Sequence, residues 1–249
     1  MSQTGRLYSW ERGPLQPAFP ADQVDIWRVR LEEPVKATFA GSVLSADELR
    51  RGARFHFDKD RLHFARCRSA LRLLLSRYLG IPGAELAFEY QSGGKPQLAA
   101  RQNPLDLQFN VSHSAGLALI AVTAGTRLGI DIERIRGDVE VSTLTERFFS
   151  MRERDAIREL PAIFRVSAFF ACWTRKESFL KATGDGLSFP LTDFSVSTHP
   201  DCDAKLEEIH GNTDAAKLWF LADLNVAEGY RATVALERCN PRLETYDWS

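Results

Sequence analysis

Apolar residues recur along this chain in short runs that either alternate with polar residues or stay apolar throughout, as in strands that are partly or fully buried. Turn-forming residues separate several of these runs, so neighbouring runs are expected to form adjacent strands. The runs that predict strands lie at 24–31, 105–111, 117–123, 128–132, 194–197, 218–223 and 230–236.

Helical patterns occupy two regions between these runs. Ser45 and Glu48 have the spacing of a capping box, which predicts the start of a first helix. A longer helix is predicted at about 60–79, ending at Gly80 and Pro82. In the second region the predicted helices, with Ser150 as the cap of the middle one, lie at 141–149, 151–160 and 164–183.

Each half of the chain thus runs from helices into strands, an alternation that predicts an α+β fold of two subdomains of similar size. The predicted division is an N-terminal arm at 1–22, an N-terminal α+β subdomain at 23–125 and a C-terminal α+β subdomain at 126–249. The glycines and prolines of the arm predict an extended segment, either laid over the surface or mobile.

Composition places the chain among ordinary globular proteins, because 44% of its 249 residues are hydrophobic and 26% are charged. A formal net charge of −1 argues against nucleic acid or a membrane as a partner. No run approaches the roughly 20 apolar residues of a membrane span, and residues 1–22 lack the apolar core of a signal peptide. The four cysteines lack zinc-site or redox spacing. We therefore expect a cytoplasmic protein.

The near-neutral net charge does not hold locally between Arg50 and Arg77, a segment that contains nine basic and two acidic residues. Such a helix would attract phosphates or an acidic partner. It is equally consistent with an ordinary solvated helix face, and composition does not separate the two.

The strongest candidate for chemistry is the run Gly-Ile-Asp-Ile-Glu at 129–133. Successive side chains of a strand point to opposite faces, so Asp131 and Glu133 should project from the same face. Glu177, on the last predicted helix, is a third carboxylate for this site, and oxygen ligands of this kind suit Mg²⁺. The alternative is a solvated strand end, with Glu177 in a helix contact with Lys181.

Three further residues are candidates for phosphate contacts. Lys181 lies four residues after Glu177 and would neutralise phosphate charge. His113, between two serines just after a predicted strand, either binds a phosphate or is a structural loop histidine. Lys95 lies in a Gly-Gly-Lys-Pro turn at 93–96 that is too short for a P-loop.

Four runs resemble, in order, the signature blocks of the Sfp-type 4′-phosphopantetheinyl transferases. These runs, GGKPQL, FNVSHS, GIDIE and FFACWTRKESFLKATGDGL, lie at 93–98, 109–114, 129–133 and 169–187. The resemblance implies a pseudo-dimer of two α+β subdomains with coenzyme A bound in the cleft between them. It also implies transfer of 4′-phosphopantetheine from coenzyme A to a serine of an apo acyl or peptidyl carrier protein, with release of adenosine 3′,5′-bisphosphate.

The resemblance further implies a role for each matching residue. Asp131, Glu133 and Glu177 match the metal-site carboxylates, which would hold Mg²⁺ or Mn²⁺ at the pyrophosphate. Glu177, or a metal-bound water that it orients, would deprotonate the carrier serine. The matches to coenzyme-binding residues are Lys59, Arg61, Lys95, Ser112, His113 and Lys181, of which Lys181 lies nearest the pyrophosphate.

Two other functions use the same residues. A magnesium-dependent hydrolase would need the three carboxylates but leaves the Gly-Lys-Pro and Ser-His-Ser runs unexplained. A binding module without activity would be expected to lack one or more of Asp131, Glu133, Glu177 and Lys181, all of which are present. The sequence leaves open whether the carrier serves fatty-acid, polyketide or nonribosomal-peptide synthesis. Since one chain carries both halves, we expect a working monomer.

Overall fold

The computed structural model describes residues 8–20, 22–32, 43–91 and 93–248. The strands found in these residues are β1 (Glu11–Arg12), β2 (Gln23–Arg30), β3 (Phe88–Tyr90), β4 (Pro96–Leu98), β5 (Leu107–Ser114), β6 (Leu117–Ala124), β7 (Leu128–Arg134), β8 (Phe194–Val196), β9 (Leu206–Ile209), β10 (Phe220–Asp223), β11 (Tyr230–Leu236) and β12 (Arg242–Asp247). The helices are α1 (Ala46–Ala53), α2 (Asp58–Leu79), α3 (Val141–Phe148), α4 (Met151–Glu159), α5 (Ala162–Thr183) and α6 (Thr213–Ala216).

Both halves of the chain build the same antiparallel unit of three strands. In the first, β2 pairs with β6 and β6 pairs with β5; in the second, β7 pairs with β11 and β11 pairs with β10. In each unit the last of the three strands along the chain lies in the centre, and a helix of 22 residues, α2 or α5, precedes it. The prediction of an α+β fold with two similar subdomains is confirmed.

The two sheets bury a common apolar core between them, which explains the alternation in the sequence. Val24 and Ile26 of β2 pack into this core, whereas Trp27 and Val29 pack on the other face, under α2. Strand β6 is buried on both faces, and its run at 117–123 is therefore apolar throughout rather than alternating. The second sheet is covered on its far side by α5.

The predicted helix starts are confirmed at two capping boxes. Ser45 accepts a hydrogen bond from the backbone N–H of Glu48, which in turn accepts from the backbone N–H of Ser45. Ser150 and Glu153 repeat the arrangement at α4. The long helices α2 and α5 begin two residues earlier than predicted, at 58 and 162.

Each capping glutamate has a second partner that the local pattern does not reveal. Glu48 accepts from Arg72 Nε at 2.6 Å, and Glu153 accepts from Lys176 Nζ at 2.7 Å. All four side chains are buried. In both halves, therefore, a buried ion pair joins the short capped helix to the long helix that follows it.

The end of the chain returns to the first sheet. Strand β12 pairs in parallel with β2, and β1 pairs with β12, so the N-terminal sheet has five strands. Strand β12, which falls in the predicted C-terminal subdomain at 126–249, thus pairs in the other sheet, and the division into subdomains stays a prediction. The pairing of β1 lays the described part of the predicted arm along the sheet, while 1–7 and 21 lie outside the described residues.

The edges of the two sheets meet where β5 faces β7, since each is the outermost strand of its sheet. Side chains from both subdomains therefore converge at this junction. Across the described ranges, no helix combines the length and apolar character needed to cross a membrane.

Candidate active site

Two adjoining cavities of about 360 and 300 Å³ lie at the junction of the sheets. Both are lined by Val111 of β5 and by Glu177 and Lys181 of α5, and the two together are here called the cleft. The larger cavity adds Ser112, His113, Asp131, Glu133 and Trp173 to its lining. The smaller one adds the Gly-Lys-Pro turn and the end of α5. The cleft thus brings together all but two of the predicted site residues, Lys59 and Arg61.

Strand β5 extends three residues further than predicted, through Ser114. His113 therefore lies within the strand instead of in a loop after it, and the two serines flanking it share the opposite face. The Ser112 hydroxyl donates to Asp131 Oδ1 at 2.9 Å, and the Ser114 hydroxyl donates to Glu133 Oε2 at 2.8 Å. Both hydroxyls thus hold carboxylates in the structure, and the coenzyme contact implied for Ser112 stays a prediction.

Lys181 connects the helix to the same carboxylates. Its Nζ donates to Asp131 Oδ1 at 2.6 Å and to Ser112 Oγ at 3.0 Å. The ion-pair partner of Lys181 in the structure is therefore Asp131 on the strand, and not Glu177 one turn earlier on the helix. Because Asp131 is only 3% exposed, its ion pair with Lys181 is shielded from solvent on the carboxylate side.

The three carboxylates influence one another electrostatically. Burial raises the pKa of Glu133 and of Glu177, and the negative charge of Asp131 is the second cause in both cases. Like charges held close together in this way favour either protonation or a cation.

The described ranges contain no group of three or more His, Cys, Asp or Glu side chains placed closely enough to hold a metal ion. The side chains of Asp131, Glu133 and Glu177 therefore do not converge on one metal position, and the assignment of a metal to them stays a prediction. The donor chemistry nevertheless fits a hard cation, because the residues offer carboxylate oxygens. Asp131 Oδ2 is also buried without a hydrogen-bond partner, and a cation would satisfy it.

Gly129 allows β7 to approach α5 closely enough to form this site. A Cβ atom at Gly129 would lie 2.0 Å from the carbonyl oxygen of Ser178 and 2.4 Å from the backbone nitrogen of Ala182. Only a residue without a side chain fits between the two backbones. This close contact sets the distance between Asp131 on the strand and Lys181 on the helix.

Lys95 has partners that the sequence does not predict. Its Nζ donates to the backbone carbonyl oxygens of Leu128 and Lys181, each at 2.8 Å. Burial lowers the pKa of Lys95 to about 8, with a smaller contribution from Arg127. The lysine therefore ties the Gly-Lys-Pro turn to β7 and α5, and its contact with coenzyme A stays a prediction.

Of the remaining predicted coenzyme contacts, only His113 lines the larger cavity. Desolvation, followed by the charge of Lys181, lowers the pKa of His113. Lys59 and Arg61 lie in the first turn of α2. Lys59 pairs with Glu32 at 3.1 Å, and Arg61 pairs with Asp58 at 3.1 Å. As far as the chain is described, neither lines the two cavities.

The basic segment at 50–77 is only partly a surface. Arg72 is 2% exposed and, besides its bond to Glu48, donates to the backbone carbonyls of Gly83 and Leu86. Arg68 also pairs with Glu48, at 2.6 Å. These two arginines hold the N-terminal subdomain together, so they are not part of a surface for an acidic partner.

Several residues that shape the site were missed in the sequence. Arg175 and Lys176 are fully buried, and Arg175 donates to Asp223 and to backbone carbonyls of the segment at 197–202. The length of α5 could have indicated their burial, because most residues between 168 and 182 are buried on all sides of the helix. Trp173 is half-buried and lines the cleft.

A cavity of about 580 Å³ lies elsewhere in the C-terminal half, lined by residues around Asp201, Asp223 and Tyr230. Its lining includes none of the predicted site residues. The size of a cavity therefore does not identify the site here, whereas the grouping of carboxylates with Lys181 does.

Comparison with known families covers both subdomains. Residues 127–235 match the 4′-phosphopantetheinyl transferase superfamily, and residues 27–125 match the family described as 4′-phosphopantetheinyl transferase, N-terminal. The two matched segments together cover most of both three-stranded units described above.

Curated relatives agree with these matches. HetI of Nostoc sp., a 4′-phosphopantetheinyl transferase, is 36% identical over 230 residues, which cover 92% of this chain and 94% of the relative. Sfp of Bacillus subtilis (strain 168) is 29% identical over 194 residues, covering 78% and 82%. The L-aminoadipate-semialdehyde dehydrogenase-phosphopantetheinyl transferase of Mus musculus is 27% identical over 209 residues, covering 78% and 67%.

The family and the class of enzyme predicted from the four motifs are both confirmed by these similarities. With both subdomains matched and a relative 36% identical along nearly its whole length, this chain belongs to the 4′-phosphopantetheinyl transferase superfamily.

Proposed function

We propose that this protein transfers the 4′-phosphopantetheine group of coenzyme A to a serine hydroxyl of an apo carrier protein. The observation that carries the proposal is the grouping of Asp131, Glu133, Glu177 and Lys181 in one cleft of a family member. The cleft lies between the two halves of a single chain, and we therefore propose that the protein works as a monomer.

The reaction joins the serine oxygen to the β-phosphorus of coenzyme A and breaks the bond from that phosphorus to the oxygen bridging the two phosphates. The bridging oxygen keeps the electron pair and leaves as part of adenosine 3′,5′-bisphosphate. Negative charge accumulates on the phosphate oxygens, so positive groups fixed beside them lower the barrier.

Asp131, Glu133 and Glu177 would hold the Mg²⁺ ion, or Mn²⁺ in its place. When bound, the ion supplies neutralising charge at the pyrophosphate. The unpartnered Oδ2 of Asp131 and the shared charge of the three carboxylates support this assignment.

Lys181 would supply a fixed positive charge on the same side of the cleft. Its ammonium is held by Asp131 and Ser112, with the side chain 29% exposed, so it faces the cavity without being free to swing away. Such an anchored ammonium stabilises developing charge with little reorganisation.

Glu177 is the proposed acceptor of the serine proton. Its side chain lines both cavities, and burial together with the charge of Asp131 raises the pKa of its carboxyl. A metal-bound water that Glu177 orients is the alternative acceptor. Coenzyme A would extend from here toward the Gly-Lys-Pro turn. The proposed coenzyme contacts besides Lys181 are Lys59, Arg61, Lys95, Ser112 and His113.

Intact-mass spectrometry tests the proposal. Purified apo carrier proteins from fatty-acid, polyketide and nonribosomal-peptide synthesis are incubated with this protein, coenzyme A and Mg²⁺. We expect at least one carrier to gain the mass of one phosphopantetheine. The gain should need the metal, disappear in Glu177→Gln and persist in Glu159→Gln, a control at an exposed glutamate of α4.

Two results would contradict the proposal. Cleavage of coenzyme A without modification of any carrier would favour a hydrolase with water as nucleophile. Binding of coenzyme A without cleavage or transfer would favour a binding module.

A further inference from the structure

The edge strands β5 and β7 belong to different sheets, and side chains supply hydrogen bonds between them. Three residues of β5, here called the β5 ladder, accept hydrogen bonds from backbone N–H groups of β7. The pairs are Asn110 Oδ1 with Ile130 at 2.9 Å, Ser112 Oγ with Ile132 at 3.4 Å and Ser114 Oγ with Arg134 at 3.0 Å. Every acceptor lies 20 residues before its donor, so the two strands run in the same direction at constant register.

The two serines of the β5 ladder also donate a hydrogen bond. Ser112 donates to Asp131, and Ser114 donates to Glu133. A hydroxyl has one proton and two acceptor lone pairs. Each serine therefore donates its proton to a carboxylate of β7 and accepts a hydrogen bond from the backbone N–H of the residue that follows that carboxylate. The two bonds together fix the orientation of β7 and of the carboxylate side chain.

Glu133 has the greater need of such an anchor. It is half-buried, and its side chain has more rotatable bonds than that of Asp131. Asp131 is already held by Lys181 at 2.6 Å in addition to Ser112. For Glu133, the hydrogen bond from Ser114 at 2.8 Å is the contact that directs the carboxylate.

We infer that Ser114 is a positioning residue that aligns β7 with β5 and aims Glu133 into the cleft. Ser114 carries this inference better than Ser112, because Ser112 also contacts Lys181 and lines the larger cavity. Partners of this kind around metal ligands set the geometry of the ligands before the metal arrives. The inference rests on the proposed function only for its metal-binding measurement.

The test compares Ser114→Thr with Ser114→Val. The two side chains have nearly the same shape and differ in the hydroxyl, so loss of packing affects both equally. Hydrogen exchange at the Arg134 amide, measured by NMR without metal, reports the bond to the backbone. Titration with Mn²⁺, followed by electron paramagnetic resonance, reports the aim of Glu133. Ser114→Ala, which adds no atoms, repeats the comparison with the unmodified protein if branched residues prevent folding.

We expect Ser114→Val to exchange the Arg134 amide about two- to tenfold faster, as for the loss of one ordinary hydrogen bond. Its affinity for Mn²⁺ should fall about 10- to 100-fold, the usual effect of removing a partner of a metal ligand. Ser114→Thr should retain both properties.

Equal behaviour of the threonine and valine variants would overturn the inference. So would faster exchange with unchanged Mn²⁺ affinity, because Glu133 would then not depend on Ser114. If the unmodified protein binds no Mn²⁺, the proposed function fails on its metal. Crystal structures of the two variants then decide about Ser114: Glu133 turned away only in the valine variant supports the inference, and an unchanged Glu133 overturns it.

Discussion

Replacing Gly129 with alanine should separate the strand that carries Asp131 from the helix that carries Lys181. The added Cβ would lie 2.0 Å from the Ser178 carbonyl oxygen and 2.4 Å from the Ala182 nitrogen, whereas ordinary contact begins near 3.4 Å. The contacting atoms belong to the backbone, so no change of side-chain rotamer can relieve the clash. Strand and helix must therefore move apart by more than an ångström.

The movement should cost stability and activity together. Overpacking a close contact typically costs about 1–3 kcal/mol, and a clash with backbone belongs at the upper end, so we expect about 3 kcal/mol. A shift of this size also misplaces Lys181 from its 2.6 Å contact with Asp131. Misplacement of a reacting group by an ångström can lower the rate about 100-fold, which we expect for kcat/KM of carrier modification.

Urea unfolding and the rate of carrier modification measure these two effects. Gly137→Ala is the matched control, because a Cβ at Gly137 meets no atom within 4 Å. It should change the free energy of unfolding by less than about 0.5 kcal/mol. If Gly129→Ala were as stable and as active as Gly137→Ala, the argument that backbone contact between β7 and α5 builds the site would be refuted.

Three further predictions follow from individual contacts. Lys181→Met should lower kcat/KM of carrier modification about 100-fold or more, as for other lost electrostatic groups, whereas Lys217→Met, at a surface ion pair with Asp214, should leave the rate unchanged. Folding lowers the pKa of Lys95 from 10.5 to about 8, so between these pH values the folded state binds fewer protons than the unfolded state. The free energy of unfolding should therefore rise with pH across that window. In urea unfolding Lys95→Met should lack this rise, and an identical slope in both proteins would contradict the assignment. Lys176→Met leaves Glu153 buried without its cation and should lower the free energy of unfolding, measured in urea, by about 3–5 kcal/mol. The double variant with Glu153→Gln should be more stable than Lys176→Met alone, whereas two additive losses would make it less stable.

Local pattern was sufficient to predict most of the regular elements. The capping box at Ser45 and the cap at Ser150 predict where helices begin, because their hydrogen bonds are made within four residues. The shared face of Asp131 and Glu133 follows from the period of a strand. The elements β3, β4, β9 and α6 were missed, because segments of three or four residues carry little periodic signal of their own, and β12, with six residues, was missed as well.

The positions of the long helices and the shared face of Asp131 and Glu133 could be predicted from the sequence alone, because these features depend on neighbours along the chain. The contact of Ser114 with Glu133, the two backbone carbonyl partners of Lys95 and the pairing of β12 in the first sheet are visible only in the folded chain. Those partners are brought together by the packing of one sheet edge against another and of α5 against β7. No periodicity within one element specifies which residue of another element it will meet.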